Sequence, residues 1–128
     1  MSLASSIRNT VRNLINSLGS TAYVYSFASA TKSQNSEGDY HVTNWGNAVT
    51  IKAISSNNYK LRKILAMQGE ETNSSDRVLI IRDDATVGKR DKLVIDNETY
   101  EITEIKKLNP IENTLIAQRV VLSKNENY

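Results

Sequence analysis

His41 is the chain's one histidine, and there is no cysteine. As a catalytic base His41 would need a serine or a carboxylate partner, and no spacing in the sequence singles one out. The other chemistry of this segment is a cation held by His41 with Glu37 and Asp39, but one imidazole and two carboxylates make a nonspecific donor set. Glu70 and Glu71, in "GEE" at 69–71, fall in a predicted hairpin loop, where carboxylates serve solubility. Asp83 and Asp84 follow a predicted strand and start a turn. Two carboxylates that cleave a glycosidic bond need a cleft, and a chain of 128 residues is small for one. Neither a phosphate-cradling glycine loop nor a dinucleotide fingerprint is present. Without cysteine, disulfides and thiolate zinc sites are excluded. The expectation is a protein that is not an enzyme and uses no cofactor and no metal.

Nucleic-acid binding is the next chemistry to weigh. Tyrosines stand at 23, 25, 40, 59, 100 and 128, and Lys60, Arg62 and Lys63 form a basic run. Small barrels bind single strands by stacking bases on such rings. These tyrosines are scattered, however, and Tyr23, Tyr25 and Tyr100 fall in core phase. A net charge of +2 is too small to argue for a nucleic-acid partner. Its distribution is more informative. Residues 1–63 hold seven Lys and Arg against two Asp and Glu, and residues 64–128 nine against twelve, which leaves +5 and −3. Ordinary scatter accounts for that difference. A polarised module that meets copies or partners head to tail accounts for it too.

The elements that position these groups follow from periodicity. Leu3, Ile7, Val11, Leu14, Ile15 and Leu18 make a helical stripe over 2–18. Ser2 or Ser5 caps its start, and Gly19 suits a left-handed residue past its end. Residues 21–30 alternate as a strand. Residues 31–47 are polar, with Gly38 and Gly46, and read as a long loop or arm carrying Tyr40, His41 and Trp45. Loops of that length are often functional. Residues 48–54 form a strand. Residues 60–84 read as a hairpin whose first arm is a strand, although its spacing also fits a short helix, and whose loop is 69–76. The return arm "RVLIIR" is apolar on both faces, so this domain or another chain must cover it. Leu93 and Ile95, then Tyr100 and Ile102, alternate about an Asp-Asn-Glu turn. Ile105 is out of phase with Ile102, which predicts a bulge near Thr103 and Glu104. A last strand spans 114–123.

The expected fold is mainly β: a small antiparallel β-barrel or curled sheet of about six or seven strands with one N-terminal α-helix. Residues 1–128 form a single domain. The helix occupies 1–19, the barrel with its long polar loop 31–47 occupies 20–124, and 125–128 is a loose tail. No apolar run approaches the roughly 18 residues that span a bilayer. The N-terminus lacks the apolar stretch of a signal peptide. The sequons at Asn73 and Asn97 are then chance matches.

The run "SDRVLIIRDDATVGKRDKLVIDNETYEITEI", residues 75–105, resembles the C-terminal half of small tailed-bacteriophage neck proteins, the head-closure, stopper or head–tail adaptor family. Asp76, Arg77, Val78, Leu79 and Ile80 match its first strand. Asp91, Leu93, Ile95, Tyr100 and Ile102 match its Gly-Asp-(any)-(Leu/Val)-(any)-Ile-(Asp/Gly)-Gly-(any)-(any)-Tyr-(any)-Ile hairpin. Two glycines of the pattern are replaced, by Arg90 and by Asn97. Asn tolerates the left-handed conformation second best.

The resemblance implies a structural virion protein, made in the host bacterial cytoplasm and located in the neck of the particle. It would form a homo-oligomeric ring, hexameric or dodecameric, between portal and tail. The ring joins the DNA-filled head to the tail. Its partners would be the portal or adaptor protein, tail proteins, and double-stranded DNA passing through the lumen without sequence-specific contact; no membrane is involved. A tail-terminator or tail-completion protein is the neighbouring reading, and an OB-like or SH3-like nucleic-acid adaptor the other. By analogy and burial logic, Ile7, Val11, Leu79 and Ile81 are expected at subunit contacts. Asp39, Tyr40, His41, Trp45, Glu70, Glu71 and Asn73 are expected on loops that face portal, tail or lumen.

Overall fold

The computed structural model describes residues 3–65, 76–108, 114–125 and 128. In chain order the elements are α1 (Leu3–Leu18), β1 (Ser20–Tyr25), β2 (Thr31–Gln34), β3 (Tyr40–Asn44), β4 (Val49–Ser55), α2 (Tyr59–Leu65), β5 (Asp76–Arg82), β6 (Lys92–Ile95), β7 (Glu98–Leu108) and β8 (Ala117–Lys124). Six strands close in the order β1-β4-β5-β8-β7-β6. Tyr23 of β1 lies opposite Thr50 of β4 on one side and Val94 of β6 on the other, which seals the barrel. All pairings are antiparallel, and closure leaves no sheet edge in the barrel wall.

Alternation sets what fills it. Ala22, Val24, Leu79, Ile81, Leu93, Ile95, Ile102 and Leu122 point inward and form the inner core. The Tyr100 ring joins them, while its hydroxyl donates to Glu98 Oε2 at 2.6 Å. A second apolar layer lies outside the wall. Val11 and Ile15 of α1 and Leu61 of α2 cover Ile54, Ile80 and Ala117 on β4, β5 and β8. At Gly19, N–H donates to Ile15 O at 2.9 Å and ends α1. A Cβ there would sit 2.3 Å from Ile15 O and 3.0 Å from Ala53 O. Gly19 is thus needed for close approach of helix to strand, not for the left-handed conformation expected of it.

The β6–β7 hairpin turns at Asp96 (φ 53°) and Asn97 (φ 62°), two successive positive values as in a type I′ turn. The register of β7 against β8 shifts between Ile102 and Glu104, where the bulge was expected.

Several expectations are corrected. Residues 60–65 belong to a helix, not a strand. Leu61 and Ile64 are three apart, so both reach the layer under α1, and Asn58 Oδ1 caps the start by accepting from Leu61 N–H at 3.1 Å. The segment 31–47 is not a long loop, since β2 and β3 pair as a separate two-stranded sheet. Neither of its faces is buried in the core, so no apolar alternation marks it. The first strand stops at Tyr25, and Tyr23 is outward and 46% exposed, not a packing residue. The tail is docked at Asn125, whose N–H donates to Thr99 O at 3.1 Å, and at Tyr128, whose ring lies against Trp45. The residues proposed for subunit contacts are used by the chain itself. Leu79 and Ile81 line the inner core at 1% and 0% exposure, Val11 is fully buried on the face of α1 that covers the barrel wall, and Ile7 packs against the same layer. The second apolar face of β5 is covered by α1 and α2, so a neighbouring subunit is not required to shield it.

Candidate functional site

One end of the barrel gathers the β1–β2, β3–β4 and β5–β6 connections around an open groove of about 1170 Å³. Asp91 holds this mouth together. It is 6% exposed, and its carboxylate accepts from Phe27 N–H (Oδ1, 2.9 Å) and Gly88 N–H (Oδ2, 2.7 Å), so it joins the β1–β2 and β5–β6 connections. Its own backbone O accepts from Ile102 N–H at 3.0 Å, and Arg90 N–H donates to Ile102 O at 2.8 Å. Buried Gln118 completes the frame. Its Nε2 lies 2.8 Å from Ala85 O and 3.1 Å from Arg82 O, which pins the chain leaving β5. Arg12 of α1 closes a bidentate pair with Asp83, with both contacts at 2.7 Å. Burial raises the Asp83 carboxyl, and the Arg12 hydrogen bonds and charge outweigh it, so the group sits below its ordinary pKa.

Beside the mouth lies a cluster of aromatic rings and cations. Trp45 packs on Phe27 (6.3 Å between centroids) and on Tyr128 (4.9 Å). Lys32 and Arg90 stand over the Phe27 ring at 4.6 and 5.1 Å, and Lys92 stands over Tyr25 at 4.8 Å. Lys32 Nζ also donates to Phe27 O at 2.6 Å. Burial, with the Glu101 carboxylate adding to it, pushes the Tyr128 phenol up to about 12. The cluster anchors the base of the β2–β3 hairpin and the C-terminal residue to the barrel.

The hairpin projects from that anchor. Its tip, 35–39, is exposed yet internally tied. Asn35 Oδ1 accepts from Glu37 N–H and Asp39 N–H, both at 2.9 Å. Asn35 N–H donates to Asp39 O at 2.8 Å, Gln34 Nε2 donates to Gly38 O at 2.9 Å, and Gly38 supplies φ 91°. His41 is exposed on β3, opposite Ser33, and Tyr40 is opposite Gln34. Asp39, Tyr40, His41 and Trp45 therefore share one arm, with Trp45 at its root. Glu70, Glu71 and Asn73 lie outside the described residues. Among the described residues, no three His, Asp or Glu gather as a metal site, and no helix is long and apolar enough to cross a membrane.

Sequence reasoning did not single out Phe27 or Lys92, and it named Arg90 and Tyr128 without placing them in this cluster. Tyr25 and Lys92 are cross-strand partners, a fact visible only once β1 and β6 are known to pair.

No protein family model matches the chain, and no curated protein matches it. Among solved structures, the chain is similar to the phage-like element PBSX protein xkdH from Bacillus subtilis. The two are 13% identical, the TM-score is 0.43, and the likeness covers 85% of this chain and 96% of that one. It is too distant to carry a role from one chain to the other.

Proposed function

We propose that this chain is a structural protein of the tailed-phage neck, forming a ring between portal and tail that joins the filled head to the tail and lets DNA pass. One observation carries the reading. The sequence departs from the neck-protein pattern at two glycines, Arg90 and Asn97, and both residues hold the backbone conformation that favours glycine, at φ 73° and 62°. The chain keeps the backbone the pattern calls for where it has lost the residues. The pattern's apolar positions, Leu93, Ile95, Tyr100 and Ile102, all sit in the inner core, and its Asp, Asp91, ties two connections at the mouth. The projecting hairpin with Asp39, Tyr40, His41 and Trp45 is the element best placed to reach a neighbouring chain of the assembly.

The test is a phage whose copy of this gene is deleted. The proposal expects DNA-filled heads and full-length tails that accumulate separately and join when the protein is supplied. Tails of irregular length beside normal heads would instead indicate a tail-terminator or tail-completion protein. The nucleic-acid adaptor reading draws on the cations over Phe27 and Tyr25. A gel shift on single-stranded DNA that weakens steeply with salt would favour it, and absence of binding at low salt would remove it.

A further inference from the structure

We infer that the β2–β3 hairpin tip of one copy docks in the barrel-mouth groove of a second copy, through the Glu37 and Asp39 carboxylates and the Lys52 and Lys89 ammonium groups. The inference deepens the ring reading above, on which it rests, by naming the contact between subunits.

Three observations lead to it. The first is the tip. An isolated two-stranded hairpin is marginal in water. This one is nevertheless fixed at its end by Asn35, Gln34 and Gly38 and at its root by Trp45. An exposed turn that is held this firmly presents Glu37 and Asp39 in one geometry, which lowers the ordering cost of docking. Among the described residues neither carboxylate has an ion-pair partner.

The second is the groove. At about 1170 Å³ it exceeds the roughly 300–1000 Å³ typical of small-molecule sites and suits a short chain segment. Trp45, Val49, Ile51 and Val87 give it an apolar floor and wall, and Val49 is 64% exposed there. Its acids are already committed, Asp84 to Arg82 and Asp91 to two backbone amides. Among the described residues Lys89 has no ion-pair partner, and Lys52 Nζ reaches Thr21 Oγ1 alone, at 2.9 Å. The groove is therefore cationic where the tip is anionic.

The third is reach. The hairpin leaves the barrel beside the groove and carries its tip roughly 15–20 Å away, at about 3.3 Å per strand residue. A tip held out with every residue from 35 to 39 exposed does not fold back on its own mouth. Tip and groove on one molecule can then meet only between molecules. Such a contact is heterologous, and it closes as a ring when its rotation allows.

Charge reversal in both partners tests this. Sedimentation velocity on the full chain at low salt is expected to show concentration-dependent association. Glu37→Lys with Asp39→Lys, and separately Lys52→Glu with Lys89→Glu, should each weaken it by about tenfold or more. An equimolar mixture of the two variants should form heterodimers, because each supplies the surface the other has lost. All four positions are exposed, so folding is not at stake, and circular dichroism verifies it. Wild-type association that survives both reversals would overturn the docking while leaving the ring standing. A chain that is monomeric up to about millimolar concentration, or variants whose mixture fails to associate, would also overturn it. Self-association that duplex DNA abolishes by occupying the groove would assign the mouth to nucleic acid and count against it. The deletion phenotype decides the neck reading independently.

Discussion

Arg90, Asn97 and Asp83 show how single residues sustain the mouth and the turn. Arg90 accepts a left-handed backbone that costs a non-glycine residue roughly 1–2 kcal/mol, and its guanidinium over Phe27 returns part of that. Asn97 occupies the second central position of the β6–β7 turn, where glycine is best suited. Asn97→Gly should leave stability unchanged or raise it by about 0.5 kcal/mol, whereas Asn97→Val should lower it by about 1–2 kcal/mol, read from thermal midpoints. Asp83 gives a pH signature. Its pKa is lower in the folded chain than in the unfolded one, so its contribution is fully present above about pH 4 and fades as pH falls through the lower folded value. Asp83→Asn should cost about 2 kcal/mol near neutral pH in urea titrations. The gap from wild type should narrow as pH falls through the lowered folded value. A gap of constant size would mean that the Arg12 pair is not its source.

The elements differ in how plainly they could be read beforehand. The β6–β7 hairpin was legible because one face of each strand enters the core, and even its bulge followed from Ile105 falling out of phase. The α1 stripe was legible for the same reason, although Leu3 and Leu18 at its ends are 64% and 51% exposed. The β2–β3 hairpin was hidden because it buries no core face and so carries no periodic signal. The short α2 was ambiguous because Leu61 and Ile64 fit either element until α1 is known to lie above them. The two apolar faces of β5 were visible, but the identity of their cover was not. Leu79→Glu or Ile81→Glu should therefore unfold the monomer, at more than about 4 kcal/mol, with loss of the β circular-dichroism signal. A folded but unassembled variant would contradict the placement of these side chains inside the barrel. Trp45 tests the hairpin anchor. In Trp45→Ala, amides of 31–44 should exchange on the order of tenfold faster or more, while those of β5 and β8 keep their protection.

At the scale of the molecule, the chain is a closed barrel with one flank roofed by helices, a cationic mouth and an acidic-tipped arm. The charge imbalance along the sequence does not map simply onto this shape. The acidic tip belongs to the basic N-terminal half, and the mouth draws Lys52 from one half and Lys89 from the other. Polarity is created by folding, when the hairpin carries Glu37 and Asp39 away from the lysines near its root. A module of this kind offers opposite surfaces to successive neighbours, which suits a part that works as one of several copies. Such a part needs rigid surfaces more than reactive groups, and the mouth is built from amide–carboxylate and amide–carbonyl bonds that supply rigidity. The most direct measurement of the proposed neck role is a cryo-electron-microscopy reconstruction of the particles produced from the genome that encodes this chain. The expected result is a closed ring of these barrels between portal and tail, with the axial channel open to DNA. A neck built wholly of other chains, with these barrels elsewhere in the particle or absent from it, would contradict it.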